Sequence, residues 1–102
     1  MRGYEVMTIH RPDLAEDDVV AKVGELESHL TDNGGQIESR DLWGKRRFTY
    51  EIEHLSEGHY SVVAFQAEPD AVDSLDRMLS LADEVLRHKI VRLEPVSPAR
   101  HS

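Results

Sequence analysis

The chain has 102 residues, with 12 Lys and Arg against 20 Asp and Glu, a formal net charge of -8, 39% hydrophobic residues and 31% charged ones. That balance fits one small folded domain and excludes wholesale disorder. The lack of cysteine excludes disulfides, thiolate chemistry and cysteine-ligated zinc, and no apolar run approaches the roughly 20 residues of a membrane-spanning helix.

Residues 3–10, GYEVMTIH, alternate polar and apolar and favour a strand. They lack the apolar core of a targeting peptide, so a cytoplasmic protein is the expectation. Asp13 and Glu16 have the spacing of a capping pair at a helix start, and Val19, Val20, Val23, Leu26 and Leu30 then recur at helical spacing. Asn33-Gly34-Gly35 ends that helix, because glycine accepts the left-handed conformation of a C-terminal cap. Residues 36–52 form a long strand candidate in which Gly44 signals a bulge or a close backbone approach.

A loop over 53–58 and a strand over 59–67, HYSVVAFQA, complete a hairpin. Glu68-Pro69-Asp70 opens a second helix, with proline suited to its first position and Val72, Leu75, Met78 and Leu79 as its apolar stripe. A last strand runs over 85–93, and residues 94–102, with two prolines and little apolar content, read as a flexible tail outside a single domain spanning 1–93.

Strand, helix, strand, strand, helix, strand is the order of an α+β, ferredoxin-like βαββαβ sandwich. It is a four-stranded antiparallel-type sheet with both helices on one face. The other face is left to water or to a partner. Charge divides along the same lines. Residues 13–32 carry a net minus six and residues 68–84 a net minus five, so the strands, loops and termini sum to plus three. The helices thus predict one acidic surface, while Arg2, Lys45, Arg46, Arg47, Arg87, Lys89 and Arg92 are left to the sheet, its edges and its ends. Exposed charges more than about 8 to 10 Å apart are largely screened at cellular ionic strength. The acidic total therefore argues against indiscriminate nucleic-acid binding while allowing a specific docked contact.

Three stretches carry a family resemblance. Met1-Arg2 with Tyr4-Glu5-Val6 is similar to an opening strand. Gly44, Lys45, Arg46, Arg47, Phe48, Thr49, Tyr50, Glu51 and Ile52 fit a signature, with Phe48 at a place usually held by leucine. Glu68-Pro69, Leu75-Asp76-Arg77 and Val85-Leu86-Arg87 are similar to a second helix and closing strand at the right separations. From Met1 to about Arg92 the chain resembles the bacterial small-subunit ribosomal protein six family. The resemblance implies a ferredoxin-like fold, no enzymatic activity and no cofactor. It also implies two partners, the central domain of small-subunit rRNA and ribosomal protein eighteen, with which the family forms a heterodimer.

Each candidate residue also has a plainer reading. Strand alternation separates Arg46 from Lys45 and Arg47, so the run reads equally as RNA phosphate contacts or as a solvated edge that discourages aggregation. The resemblance favours phosphate, for which a guanidinium fork is suited. It also favours an RNA contact for Arg2, and it makes Tyr4 an RNA candidate beside the alternative of half-buried packing. Arg87, Lys89 and Arg92 are phosphate candidates on the closing strand, with cross-strand pairing as the alternative. Trp43, Tyr50 and Tyr60 are candidates for the protein-partner interface, where aromatics are enriched, or for ordinary packing.

No paired histidines at helical spacing suggest a metal site, and the helical carboxylates lack a nucleophile or a glycine-rich cradle. A small-molecule regulatory domain or a small enzyme on the same fold is the rival reading, open by fold analogy alone.

Overall fold

The structure, a computed structural model, describes residues 1–93; the expected flexible tail lies outside the described residues. Its elements are β1 (Arg2–His10), α1 (Glu16–Asp32), β2 (Gln36–Ile52), β3 (Leu55–Ala67), α2 (Pro69–Leu81) and β4 (Val85–Arg92). The strands form one antiparallel sheet in the order β2-β3-β1-β4. This is the expected ferredoxin-like arrangement. β1 and β3 are the inner strands, and β2 and β4 are the two edges.

Alternation decides which side chains the helices cover. On the inner strands Tyr4, Val6, Val63, Phe65 and Ala67 are buried, and they meet Val19, Val23, Leu26 and Leu30 of α1 with Ala71, Leu75 and Leu79 of α2. The next residues in register, such as Met7 opposite Val62, fall on the side the helices leave open. That side is only half-buried, with Met7, Val62, Ala64 and Gln66 all partly exposed.

The start of α1 departs from expectation. Asp13 does not cap it: the N-cap position is Ala15, with no side-chain hydrogen bond, and Asp13 instead lies 3.6 Å from Arg11 Nε. The Leu14 amide donates to the Arg11 carbonyl in a turn that precedes the helix. Glu16, Asp17 and Asp18 then occupy the first helical turn, where negative charge meets the exposed amides favourably. The end of α1 is as expected. Gly34, at φ 86°, allows Gly34 N–H to reach Thr31 O and Gly35 N–H to reach Leu30 O, the paired bonds of a Schellman cap.

The hairpin is tighter than expected. The loop assigned to residues 53–58 is only Glu53 and His54, and β3 begins at Leu55. Both turn residues have positive φ, 51° and 66°, as a two-residue turn between twisted strands demands. Neither is glycine or asparagine, so the sequence carries no turn signal there.

β2 follows the sheet through irregularities. Glu38 and Trp43 are each skipped in its register with β3, and Gly44, at φ 84°, completes the second irregularity as the bulge expected there. Farther along, residues 48–51 face only Ser56 of β3 between the Arg47–Glu57 and Ile52–Leu55 pairs. Gly58 sits beneath this swelling. A Cβ there would lie 2.7 Å from Ile9 Cγ2, 2.8 Å from His10 O and 3.0 Å from Phe48 Cζ. Because one of these neighbours is backbone, Gly58→Ala is expected to destabilise the fold by about 1–3 kcal/mol, measured by urea denaturation. A wild-type midpoint would show that the strands separate freely here.

Candidate nucleic-acid interface

Register sorts the basic residues by face. Arg46 pairs with Gly58, Arg87 with Ile9 and Lys89 with Met7, which places all three on the open side of the sheet. Lys45, opposite buried His59, and Arg47, opposite Glu57, point to the helix side. Arg2, opposite Ala67, and Arg92, opposite Tyr4, also belong to the helix side, at the far end of the sheet. The expected division of the basic run therefore holds, and the eight RNA candidates do not form one cluster. Arg40 is engaged elsewhere, since its guanidinium reaches back to both carboxylate oxygens of Glu27 on α1, with Nε 3.1 Å from Oε2.

Tyr4 is not available to RNA. It is 8% exposed and stacks on Phe65 at a centroid distance of 5.6 Å, within the core beneath the helices. Its alternation with Gly3 and Glu5 turns the ring inward, so packing replaces the stacking role the sequence offered it.

The aromatic residues of the hairpin gather on the open face. Trp43 stacks nearly parallel on Tyr60, with ring centroids 6.0 Å apart and 4° between planes, and Phe48 tilts against the same Tyr60 ring at 6.0 Å. The Arg46 guanidinium lies 5.6 Å from the centre of the Trp43 ring, and its Nε donates to the Trp43 carbonyl at 3.5 Å. The Trp43 indole N–H donates to Asp41 at 3.0 Å. This ladder holds a long side chain over aromatic surface, which reduces the ordering needed to meet a phosphate. Phe48 is the member sequence reasoning missed as a site residue, although the family signature contains it.

Arg87 and Lys89 are exposed, and their side chains make no hydrogen bond or ion pair to another described residue. Tyr50 is 82% exposed at the hairpin tip. On the helix side of β2, Leu42 (40% exposed) and Val20 of α1 (40%) leave apolar surface along the sheet edge, next to Trp43 (43%) on the open face. A hollow of about 170 Å³ between α1 and β2 lies against Leu42, Val19 and Val20, with Glu16 at its rim.

His59 lies opposite His10, both are buried, and a ring N–H of His59 donates to the Leu14 carbonyl at 3.0 Å. His10 Nδ1 has no partner. Burial lowers the His10 pKa below its usual 6.5, with nearby Glu84 opposing the shift and His59 and Lys22 adding to it. The unfolded chain therefore takes up this proton first. His10 contributes stability that is fully present above about pH 6.5 and declines as pH falls through that value toward the lower folded-state pKa. The urea midpoint is expected to drop between pH 7 and about 5.5, and His10→Leu should flatten that drop. An equal drop in the variant would assign it to other groups.

Among the described residues no three His, Asp or Glu side chains are gathered as a metal-ligand set, and no helix is long and apolar enough to cross a membrane.

The chain's relatives agree with this architecture. Residues 3–92 match the family model described as ribosomal protein S6. The chain is 49% identical over 92 residues to small ribosomal subunit protein bS6 of Symbiobacterium thermophilum, covering 90% of this chain and 97% of that protein. It is 48% identical over 94 residues to bS6 of Streptomyces coelicolor, covering 92% and 98%. The crystal structure of 30S ribosomal protein S6 from Thermotoga maritima superposes with a TM-score of 0.86 at 27% identity, covering 90% of this chain and 87% of that one. The chain belongs to the ribosomal protein S6 family, whose members are structural proteins of the small ribosomal subunit rather than enzymes.

Proposed function

We propose that this protein binds the central domain of small-subunit rRNA as a pair with ribosomal protein eighteen. The observation that carries the reading is the asymmetry of the sandwich. The two helices are acidic, while the open sheet face carries Arg46, Arg87 and Lys89 against Glu5 and Asp41, beside Trp43, Phe48 and Tyr60. RNA approaches the open face, where guanidinium and ammonium groups neutralise phosphate. The partner protein seats against the β2 edge, where Trp43, Leu42 and Val20 leave apolar surface and the acidic first turn of α1 suits a basic chain.

Pairing is then what makes the RNA contact strong. Alone, the protein offers few phosphate contacts against a net charge of -8; the partner adds contacts and covers apolar surface. In filter-binding or calorimetric titrations of a central-domain rRNA fragment, the isolated protein is expected to bind poorly at physiological salt. Adding ribosomal protein eighteen should bring tight binding. Tight binding without the partner, or none with it, would overturn this reading.

A further inference from the structure

The swelling of β2 before the hairpin turn creates a feature the paired function does not require. Residues 48–52, with Tyr60 of β3 and Arg87 of β4, line a shallow, open groove of about 320 Å³. Three aromatic rings line it, from Phe48, Tyr50 and Tyr60. Tyr50 remains 82% exposed, which is unusual for so large an amphipathic ring unless something else covers it. Arg87 closes the far end without a carboxylate partner among the described residues, and Glu51 stands on the near wall.

We propose that this groove takes one unpaired nucleotide of the bound RNA, with its base against the Tyr50 and Phe48 rings and its phosphate on Arg87. The inference rests on the rRNA-binding reading and deepens it. Rings that present a π-face accept any base, while a guanidinium lining the same groove favours a group with both a flat apolar face and an anion. The Glu51 carboxylate lining the groove can accept a hydrogen bond from the exocyclic amino group of cytosine, adenine or guanine. Tyr50 and Tyr60, candidates from sequence for the protein partner or for ordinary packing, then belong to the RNA contact, with Trp43 at the shared border.

The test uses the full chain paired with ribosomal protein eighteen on the central-domain rRNA fragment, with affinity for the partner measured separately. Tyr50 and Arg87 are exposed, so Tyr50→Ala, Tyr50→Phe and Arg87→Ala preserve the fold. Tyr50→Ala is expected to weaken rRNA binding by about 5- to 100-fold, the range set by loss of one base–aromatic stack. Tyr50→Phe should retain binding, and neither should change affinity for the partner protein. Ultraviolet irradiation of the wild-type complex should cross-link one nucleotide to Tyr50 or Phe48, identified by mass spectrometry. If Tyr50→Ala instead weakens the protein pair and spares RNA, the groove is a protein contact and the proposal fails. It fails equally if neither affinity changes. Absence of rRNA binding by the wild-type pair would sink the rRNA reading itself, an outcome distinct from a silent Tyr50→Ala.

Discussion

Phe65→Ala is expected to cost about 3–5 kcal/mol of folding stability. Phe65 is fully buried on an inner strand, between Tyr4 of β1 and Ile37 of β2 in register, and its ring stacks on Tyr4. Leu26 and Leu30 of α1 and Leu75 of α2 belong to the same core and are equally inaccessible. Truncation therefore leaves a cavity walled by four elements that cannot all collapse together. A domain of this size has about 5–15 kcal/mol in total, so the variant should unfold at a much lower urea concentration. Tyr50→Ala, at a solvent-facing site, should change stability by no more than about 0.5 kcal/mol. Comparable losses in both variants would contradict the placement of the core.

The fold was legible because local signals and global pattern agree through most of the chain. The apolar spacing of Val19, Val23, Leu26 and Leu30 shows the buried stripe of α1, Gly34 marks its end, and Pro69 marks the start of α2. Two local features were not legible. Asp13 and Glu16 have capping spacing, but a turn bonded from Leu14 to Arg11 delays the helix to Glu16. The Glu53-His54 turn was hidden because strand pairing on both sides imposes a backbone that these residues adopt without advertising it.

The candidate site was half legible, for a geometric reason. Simple alternation along β2 separates Arg46 from Lys45 and Arg47, and the structure keeps that separation. The separation follows from their being consecutive, while the irregularities at Glu38 and Trp43, each shifting the phase by one residue, together leave Arg46 on the open face. Between them the phase is inverted, which turns Arg40 and Leu42 toward the helices. The stacking of Trp43 on Tyr60 likewise depends on a skipped position. The identity of the face was readable, whereas the assembly of Arg46, Phe48 and Tyr60 with Arg87 depends on strand order and bulge positions that no local stretch encodes.

The central claim is that the open sheet face, and not the basic run as a unit, meets RNA. It is tested most directly by the salt dependence of rRNA binding for two variants of the paired protein. Arg46→Ala/Arg87→Ala/Lys89→Ala removes the cations of the open face, and Lys45→Ala/Arg47→Ala removes the run's two members on the other side. Each phosphate contact contributes about 0.7 to 0.9 to the slope of log affinity against log salt. The open-face variant is predicted to bind more weakly with a slope shallower by about 2, while the Lys45/Arg47 variant keeps the wild-type slope. A slope unchanged in the first and shallower in the second would contradict the account.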